Sequence, residues 1–352
     1  MSSYLVKSLS SLSPYIPGEQ PKEGEDYIKL NTNESPFPPI QEAVKRAEER
    51  VRPFNLYSDP TLFDLKKAIA STFSLPQECV SVGNGSDELL LFALLCYTDY
   101  NIPLITPDIT YGYYSVVASL YNRDVVKIQL KDDFSIGVSD YEGKKGTIFI
   151  ANPNAPTGIF LEREKIEELL NQDKDRIVLI DEAYVDFASN SVVPLINMYP
   201  NLIVTQTFSK SRSLAGLRVG MAFAQKHLIE DIERVRSSSN PYNINSFSSS
   251  LAIEVLKEEE TTKKRIEVIK KNREYITQEY KKLGFDVLPS SANFVFVKSE
   301  KIDGYDYYRK LKEKGILIRH FTNSRISSWC RITVSKIEDM KILVEKTKEI
   351  IE

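Results

Sequence analysis

Short apolar runs, each followed by a polar or glycine-containing turn, alternate along this chain with helix-like segments. Four such runs between residues 101 and 209 are NIPLITP, GTIFIANP, DRIVLIDEA and NLIVTQTFS. Amphipathic stretches such as EREKIEELLNQ lie between some of them. This alternation is typical of buried parallel strands joined by crossover helices. The sequence therefore predicts an α/β fold in which helices flank a mostly parallel central sheet.

The pattern changes after residue 240. A long helical signature ends at Gly284, with a break near residues 258–262, and the strand-like runs NFVFV, GILIRHF and CRITVS follow it. Interspersed helices in this region predict a smaller α+β unit. We therefore expect three parts: an N-terminal arm at 1–30 that packs on the small domain or a partner subunit, a large domain at 31–245 and a small domain at 246–352.

The composition disfavours several classes of function. A net charge of −3 over 352 residues, with no basic run, does not favour a nucleic-acid partner. Cys79, Cys96 and Cys330 have neither CxxC nor Cys/His spacing, so we expect reduced thiols, no metal site and a cytoplasmic protein. Neither a signal-peptide core nor an apolar run of about 18 residues is present, so no membrane partner is expected. Two histidines leave little material for a Ser-His-Asp triad.

The segment GNGSDE follows the strand-like run at residues 80–82. Its glycines, Gly85 among them, permit close backbone approach, and the amides of Ser86 and Asp87 at a helix start would bind an anion. An ordinary N-cap followed by acidic residues would give a similar pattern. The third glycine of a dinucleotide-binding fingerprint is absent, which disfavours a nicotinamide-dependent dehydrogenase.

Further chemically distinctive residues follow the predicted strands. Asp181 ends an apolar run, where an unpaired carboxylate is costly, so it requires a cationic partner. Tyr184 lies three positions later, Tyr111 lies at a strand-to-helix turn, and Lys210 precedes Arg218 by eight positions in TFSKSRSLAGLRVG. Singly, each could be a packing or solvated residue. Together with the anion site they match the needs of pyridoxal phosphate, which are a lysine, a carboxylate for the pyridine nitrogen, and phosphate donors.

The chain resembles the fold-type I pyridoxal-phosphate aminotransferases, and within them the histidinol-phosphate branch. The resemblance covers nearly the whole chain, through segments such as LNTNESPFPP, GNGSDE, NPNAPTG, IDEAYVDF and TFSKSRSLAGLRVG. It implies transamination between histidinol phosphate and 2-oxoglutarate, giving imidazole-acetol phosphate and glutamate, in histidine biosynthesis. An aromatic amino-acid aminotransferase or a threonine-phosphate decarboxylase on the same scaffold remains open, as does, more remotely, a non-catalytic cofactor-binding protein.

The resemblance also implies roles for individual residues. Lys210 would hold the cofactor and transfer protons, Asp181 would pair with the pyridine nitrogen, and Tyr184 would hold the ring hydroxyl together with an asparagine. Tyr111 would stack on the ring. The further cofactor-binding residues implied are Gly85, Ser86, Asp87, Thr207, Ser209 and Arg218, with Tyr57 of the partner subunit, which makes the active unit a homodimer with shared sites.

Substrate binding is assigned by the resemblance to Tyr15, Asn33, Arg319 and Arg331. The two arginines would bind the acidic tail of the substrate, since planar guanidinium groups suit phosphate and carboxylate alike. One departure concerns the ring hydroxyl, because many relatives have asparagine immediately before Pro-Thr-Gly and this chain has Ala155. Either Asn154 takes that role from one position earlier, which we expect, or that hydrogen bond is missing; participation of Asn152 is a second possibility.

Overall fold

A computed structural model describes residues 4–6, 9–10, 12–22 and 24–352. Its strands are β1 (Ile28–Lys29), β2 (Val80–Asn84), β3 (Leu104–Pro107), β4 (Val125–Ile128), β5 (Thr147–Ala151), β6 (Val178–Asp181), β7 (Leu202–Thr207), β8 (Val219–Phe223), β9 (Phe285–Val287), β10 (Phe294–Ser299), β11 (Ile316–Leu317), β12 (Arg319–His320) and β13 (Cys330–Thr333). Its α-helices are α1 (Gln41–Arg50), α2 (Phe63–Phe73), α3 (Gly85–Tyr97), α4 (Tyr113–Leu120), α5 (Arg163–Gln172), α6 (Lys226–Ser239), α7 (Ser246–Leu256), α8 (Glu259–Lys282), α9 (Gly304–Glu313) and α10 (Ile337–Ile351).

A seven-stranded sheet has the order β2-β8-β7-β6-β5-β3-β4. Neighbouring strands are parallel except at β8, which is antiparallel to both β2 and β7. Every residue of β5, β6 and β7 is buried, as expected for strands covered on both faces. The predicted fold, a mostly parallel sheet flanked by helices, is confirmed.

The two faces of this sheet have separate cores. Ile148 and Ile150 of β5 pack in a cluster with residues of α1, α2, α5 and α7. Phe149, between them, packs in the opposite cluster with residues of α3, α4 and α6. Successive strand residues point to opposite faces, so one apolar run supplies both cores.

The carboxyl ends of the central strands meet at one edge. Ala151 of β5 is in register with Asp181 of β6, and Asp181 is in register with Thr205 of β7. Ligands of open α/β sheets bind at this edge because the loops that follow the strands converge there.

A second unit contains the antiparallel sheet β12-β13-β10-β9 and the helices α8, α9 and α10. Strand β1 pairs in parallel with β11, so this early segment is attached to the C-terminal part of the chain. Helix α7 belongs to the core of the larger unit, although the sequence interpretation assigned it to the small domain. The domain division stays a prediction, and these contacts favour a boundary close to residue 257.

The described part of the N-terminal arm lies along the second unit. Arg319 donates hydrogen bonds to the carbonyls of Ile16 and Pro17. Glu19 pairs with Lys312 at 2.6 Å. These contacts bring Tyr15 to the edge of the large sheet, where its ring meets that of Tyr111. Within the residues that the structure describes, no helix is long and apolar enough to cross a membrane.

Candidate active site

A cavity of about 230 Å³ opens at the carboxyl ends of β5, β6 and β7 and reaches the second unit. Helix starts, strand ends and turns bring most of the predicted site residues into it. The predicted residues that line it are Tyr15, Ser86, Asp87, Tyr111, Asp181, Tyr184, Thr207, Ser209, Lys210, Arg218, Arg319 and Arg331.

One end of the cavity is built to receive an anion. Ser86 and Asp87 lie in the first turn of α3, where backbone amides have no helical partner. Arg218 donates from Nη2 to Asp87 Oδ2 at 2.8 Å, which fixes the guanidinium beside that turn. Gly85 has a φ of 74°, and a side chain there would collide with the Arg218 guanidinium. The glycine is therefore required both by its backbone conformation and by the space that the arginine occupies.

Thr207 and Ser209 complete this end from the end of β7. The Thr207 hydroxyl donates to Ser209 Oγ at 3.0 Å and accepts the Ser209 amide at 3.1 Å. Both residues are buried, so their polar groups are held in fixed positions next to the amides of α3.

Lys210 follows directly in the same turn. Its Nζ donates to the carbonyl of Thr32 at 3.2 Å and lies 5.6 Å from the centroid of the Tyr184 ring. The amine is thus held within the cavity by a neutral backbone acceptor and an aromatic ring. It is placed to react with a ligand that lies between α3 and the second unit.

Asp181 is a buried carboxylate at the end of β6. Tyr114 donates to its Oδ2 at 2.8 Å, and Thr205 donates to its Oδ1 at 3.1 Å. Burial raises the pKa of Asp181 to about 6, while these two hydroxyl donors act to lower it. Its described partners are therefore neutral, and a cationic ligand group beside it would favour its charged form.

Sequence reasoning missed both of these donors. Thr205 is the strand neighbour of Asp181 in the parallel pairing, so the predicted order of strands contained a signal for it. Tyr114 lies three residues after Tyr111, in the first turn of α4, and its ring is fully buried. Nothing in the sequence distinguishes it from the neighbouring tyrosines.

The asparagines that were expected near the ring hydroxyl are used elsewhere. Asn154 donates to the carbonyl of Ile109 and to Thr157 Oγ1, and its Oδ1 accepts from Thr110. Asn152 exchanges two hydrogen bonds with the backbone of Leu161. In this loop Ala155 lines the cavity, and the role expected of Asn154 stays a prediction.

Asn33 also lies outside the cavity lining, although it was expected to bind substrate. It donates from Nδ2 to the hydroxyl of Tyr184 at 3.0 Å, so it contacts the site through that tyrosine. Tyr111, which does line the cavity, donates to Asp87 Oδ1 at 3.0 Å.

Two arginines of the second unit form the opposite end of the cavity. Arg319 and Arg331 are directly paired across β12 and β13. Arg331 donates from Nη2 to the carbonyl of Asn31 at 3.0 Å, and its buried Nε has no partner among the described residues. Burial lowers the pKa of Arg331 because the charged guanidinium is removed from water. A partly buried guanidinium with a buried, unused donor is a strong site for an anion.

Tyr57 does not line the cavity of its own chain. Its side chain is 77% exposed, and its ring stacks on that of Tyr242 at 4.5 Å. The described residues contain no group of three or more His, Cys, Asp and Glu that could hold a metal ion.

The family model for aminotransferase class I and II matches residues 25–346. The chain belongs to this family. The histidinol-phosphate aminotransferase of Brachyspira hyodysenteriae is 45% identical over 100% of this chain and 99% of that relative. The corresponding enzyme of Clostridium botulinum is 42% identical over the same shares. The crystal structure of histidinol-phosphate aminotransferase from Sinorhizobium meliloti, in complex with pyridoxal-5'-phosphate, has a TM-score of 0.88 at 22% identity and covers 100% of this chain and 98% of that one.

Aminotransferases of this family depend on pyridoxal phosphate. The cavity of this aminotransferase fits the group in three respects. The backbone amides at the start of α3 and Arg218 can bind a phosphate. Because Gly85 has no side chain, the Arg218 guanidinium fits beside these amides. Asp181 is buried without a described cationic partner, as a carboxylate facing a protonated ring nitrogen would be. Lys210 extends into the same cavity between these two features.

Proposed function

We propose that this aminotransferase transfers the amino group of histidinol phosphate to 2-oxoglutarate, giving imidazole-acetol phosphate and glutamate. The observation that carries the proposal is the buried Nε of Arg331, which has no partner among the described residues and lies next to Arg319 in the cavity that contains Lys210. The full-length relatives described above, named as histidinol-phosphate aminotransferases, support the same substrate.

The two arginines favour substrates that carry an anion at the far end of the cavity. A phosphate group and the carboxylates of glutamate both accept paired hydrogen bonds from guanidinium groups. The neutral side chain of phenylalanine would leave this donor pair without an acceptor, at the cost of desolvating it. A site with two cations at this end is therefore suited to the two substrates that must bind in turn.

The cofactor and the chain divide the chemistry between them. When bound, pyridoxal phosphate supplies an acceptor for the electron pair that the substrate Cα releases. Lys210 Nζ would remove the Cα proton and return it on the cofactor side, acting as general base and then as acid. Asp181 would keep the ring nitrogen protonated, held in place by Tyr114 and Thr205. Tyr184 would donate a hydrogen bond to the hydroxyl oxygen on the cofactor ring.

The remaining residues bind and orient. Ser86, Asp87, Thr207, Ser209 and Arg218 would hold the phosphate of the cofactor through backbone amides, hydroxyls and the guanidinium. With both ends of the cofactor fixed in this way, the reacting carbon is kept within reach of Lys210 Nζ.

We further propose a cytoplasmic homodimer in which Tyr57 of the partner subunit reaches the phosphate site. Large apolar side chains are exposed together in this region of the chain, at Phe54, Leu56, Tyr57 and Phe63. Exposed apolar side chains that are close together are typical of interaction surfaces. The cysteines are free thiols, which suits a reducing compartment.

The decisive experiment compares kcat/KM for histidinol phosphate with that for phenylalanine and tyrosine, with 2-oxoglutarate as acceptor. We expect histidinol phosphate to be preferred by at least about 30-fold, which corresponds to the low end of the contribution of a buried charged contact. A preference for the aromatic amino acids would replace this proposal with an aromatic aminotransferase. Release of carbon dioxide from threonine phosphate would instead indicate the decarboxylase.

A further inference from the structure

Asn33 contacts the cavity residue Tyr184 without lining the cavity itself. It is 1% exposed, and its Nδ2 donates to the Tyr184 hydroxyl oxygen at 3.0 Å. Its φ of 55° lies in the left-handed region, which asparagine adopts more readily than most residues with a side chain. Asparagine at this position therefore satisfies a backbone requirement and supplies a hydrogen bond.

Thr333 determines which end of the Asn33 amide faces Tyr184. The Asn33 backbone amide donates to Thr333 Oγ1 at 2.9 Å, and the Thr333 hydroxyl donates to Asn33 Oδ1 at 3.0 Å. Asn293 anchors the same residue by donating to its carbonyl at 3.0 Å. Because the amide oxygen is engaged by Thr333, the amide NH2 group faces Tyr184. The tyrosine oxygen then accepts a hydrogen bond, and its own proton is free to be donated into the cavity.

The loop beside Tyr184 offers no second donor to the same place. The Tyr184 ring packs in the apolar cluster of Ala155, Ala292 and Phe294, and Ala155 contributes a methyl group to the cavity wall. The side-chain amide of Asn152 donates to the carbonyl of Leu161, and that of Asn154 donates to the carbonyl of Ile109. The direction of the Tyr184 proton consequently has more effect here than it would beside a second amide.

We propose that Asn33 is a positioning residue. It orients the hydroxyl of Tyr184 as a hydrogen-bond donor toward the hydroxyl oxygen on the ring of the bound cofactor. This inference rests on the proposed binding of the cofactor through Lys210, and it does not depend on which substrate is used. A donor at that oxygen stabilises negative charge on it. It thereby lowers the pH at which the cofactor, bound through Lys210, releases its proton and changes its visible absorption.

The test is a pH titration of the visible absorption of the holoenzyme without substrate, in the wild type and in two variants. In Asn33→Asp the carboxylate can only accept, so the Tyr184 proton turns toward it and away from the cofactor. We expect the titration midpoint to rise by about 1 pH unit or more, as for the loss of one hydrogen bond to a charged group. Asn33→Gly tolerates the left-handed backbone and leaves the tyrosine unconstrained, so we expect a smaller rise.

Two controls separate orientation of Tyr184 from a general effect of charge or packing. In a Tyr184→Phe background, Asn33→Asp should leave the midpoint unchanged. Asn272→Asp alters another buried asparagine, which donates to the carbonyl of Ser335, and should not move the midpoint in the wild-type background. Among the described residues, Lys210, Arg331, Tyr15 and Tyr111 interact electrostatically with Tyr184, and every variant retains them.

Each outcome has a definite meaning. An unchanged midpoint in Asn33→Asp, or a rise that persists in the Tyr184→Phe background, overturns the role of Asn33 and leaves the proposed function standing. A wild-type protein that shows no visible cofactor band with added pyridoxal phosphate overturns both. If Asn33→Asp raises the titration midpoint only when Tyr184 is present, the orienting role of Asn33 is established, whichever substrate the enzyme prefers.

Discussion

Lys210 is the residue on which the proposed chemistry depends most directly. Its amine lies in the cavity with a backbone carbonyl and the Tyr184 ring as neighbours. The wild-type protein should show a visible cofactor band that borohydride abolishes, and Lys210→Ala should lack this band. The variant's kcat should fall by about 10²–10⁴-fold or more, since proton transfer alone contributes that much. The measurements are an absorption spectrum and kcat.

Lys29→Ala is the matched control for that variant. Lys29 is a partly buried lysine that pairs with Glu34 at 2.7 Å and does not line the cavity. Its removal should leave the spectrum intact and change kcat little. Full activity in Lys210→Ala, with the fold preserved by circular dichroism, would contradict the assignment.

Replacing Asp181 should have opposite effects with and without the cofactor. In the protein alone, burial raises the pKa of this carboxyl from 3.8 to about 6. The folded protein therefore retains a proton that the unfolded chain has released, and stability falls as the pH rises from about 4 to about 6 and stays reduced above it. Asp181→Asn removes this titration, so we expect the cofactor-free variant to be more stable at pH 8, by roughly 3 kcal/mol at most.

With the cofactor bound, the same variant lacks the carboxylate that faces the ring nitrogen. We expect kcat/KM to fall by about 10²-fold or more, since removing one member of a buried charged pair is strongly destabilising. Thermal unfolding of the cofactor-free proteins between pH 4 and 8, together with steady-state kinetics, measures both effects. A cofactor-free variant that is less stable than the wild type at every pH would show that the lost hydrogen bonds of Tyr114 and Thr205 outweigh burial of the charge.

The sequence was most informative for residues whose chemistry is unusual in their position. A lysine among hydroxyl residues, a carboxylate that ends a buried strand and the helix start that follows a glycine pair all lie at the cavity. The role of Asn154 stays a prediction: its side chain bonds Ile109, Thr110 and Thr157, and the motif letters do not reveal which partners a side chain at a turn takes. The roles of Lys210, Asp181 and the other cavity residues in catalysis stay predictions.

At the scale of elements, the pairing of β12 with β13 brings Arg319 and Arg331 onto one face of the second sheet. We expect Arg331→Ala to lower kcat/KM for both histidinol phosphate and glutamate, by the equivalent of about 2–5 kcal/mol, because a buried charged partner is lost. Arg319 also ties down the arm through Ile16 and Pro17. Its replacement by alanine should impair the phosphate substrate more than glutamate.

Arg325→Ala provides the control for these two arginines. Arg325 also lies in the second unit, but it pairs with Asp108 and bonds the carbonyl of Leu130 outside the cavity. Its loss should affect stability more than the ratio of the two substrates' kcat/KM values. Equal losses for both substrates in Arg319→Ala would contradict a specific role of that residue in binding phosphate.

The elements themselves were largely predictable, and the exceptions have physical causes. The runs that became β3, β5, β6 and β7 are mostly apolar, short and bounded by turns, so they were recognisable as buried strands. Strand β8 was missed because it follows directly on the lysine turn and contains Gly220, which weakens a strand signal. Helix α7 is apolar enough to be buried in either unit, so its sequence did not reveal which core it joins.

At the scale of the whole molecule, the proposed dimer explains why a side chain expected at the phosphate is exposed in the single chain. Tyr57 does not line the cavity of its own chain and is exposed, as are Phe54 and Leu56. If each site combines Lys210 of one chain with Tyr57 of the other, two different inactive chains can together form one intact site. The closed two-fold symmetry of a dimer makes this exchange reciprocal.

We therefore expect complementation when Lys210→Ala and Tyr57→Glu chains are unfolded together and refolded as a mixture. Tyr57→Glu places a carboxylate against the phosphate, so the homodimer should be nearly inactive. Random pairing makes half of the dimers mixed, and each of these has one intact site, so about one quarter of wild-type activity should return. Mixing Lys210→Ala with Asp181→Asn is the control, because both residues serve the site of their own chain and no mixed dimer has an intact site. Recovery in both mixtures would point to residual activity of the variants, and recovery in neither, with dimers present by sedimentation, would place Tyr57 outside the shared site.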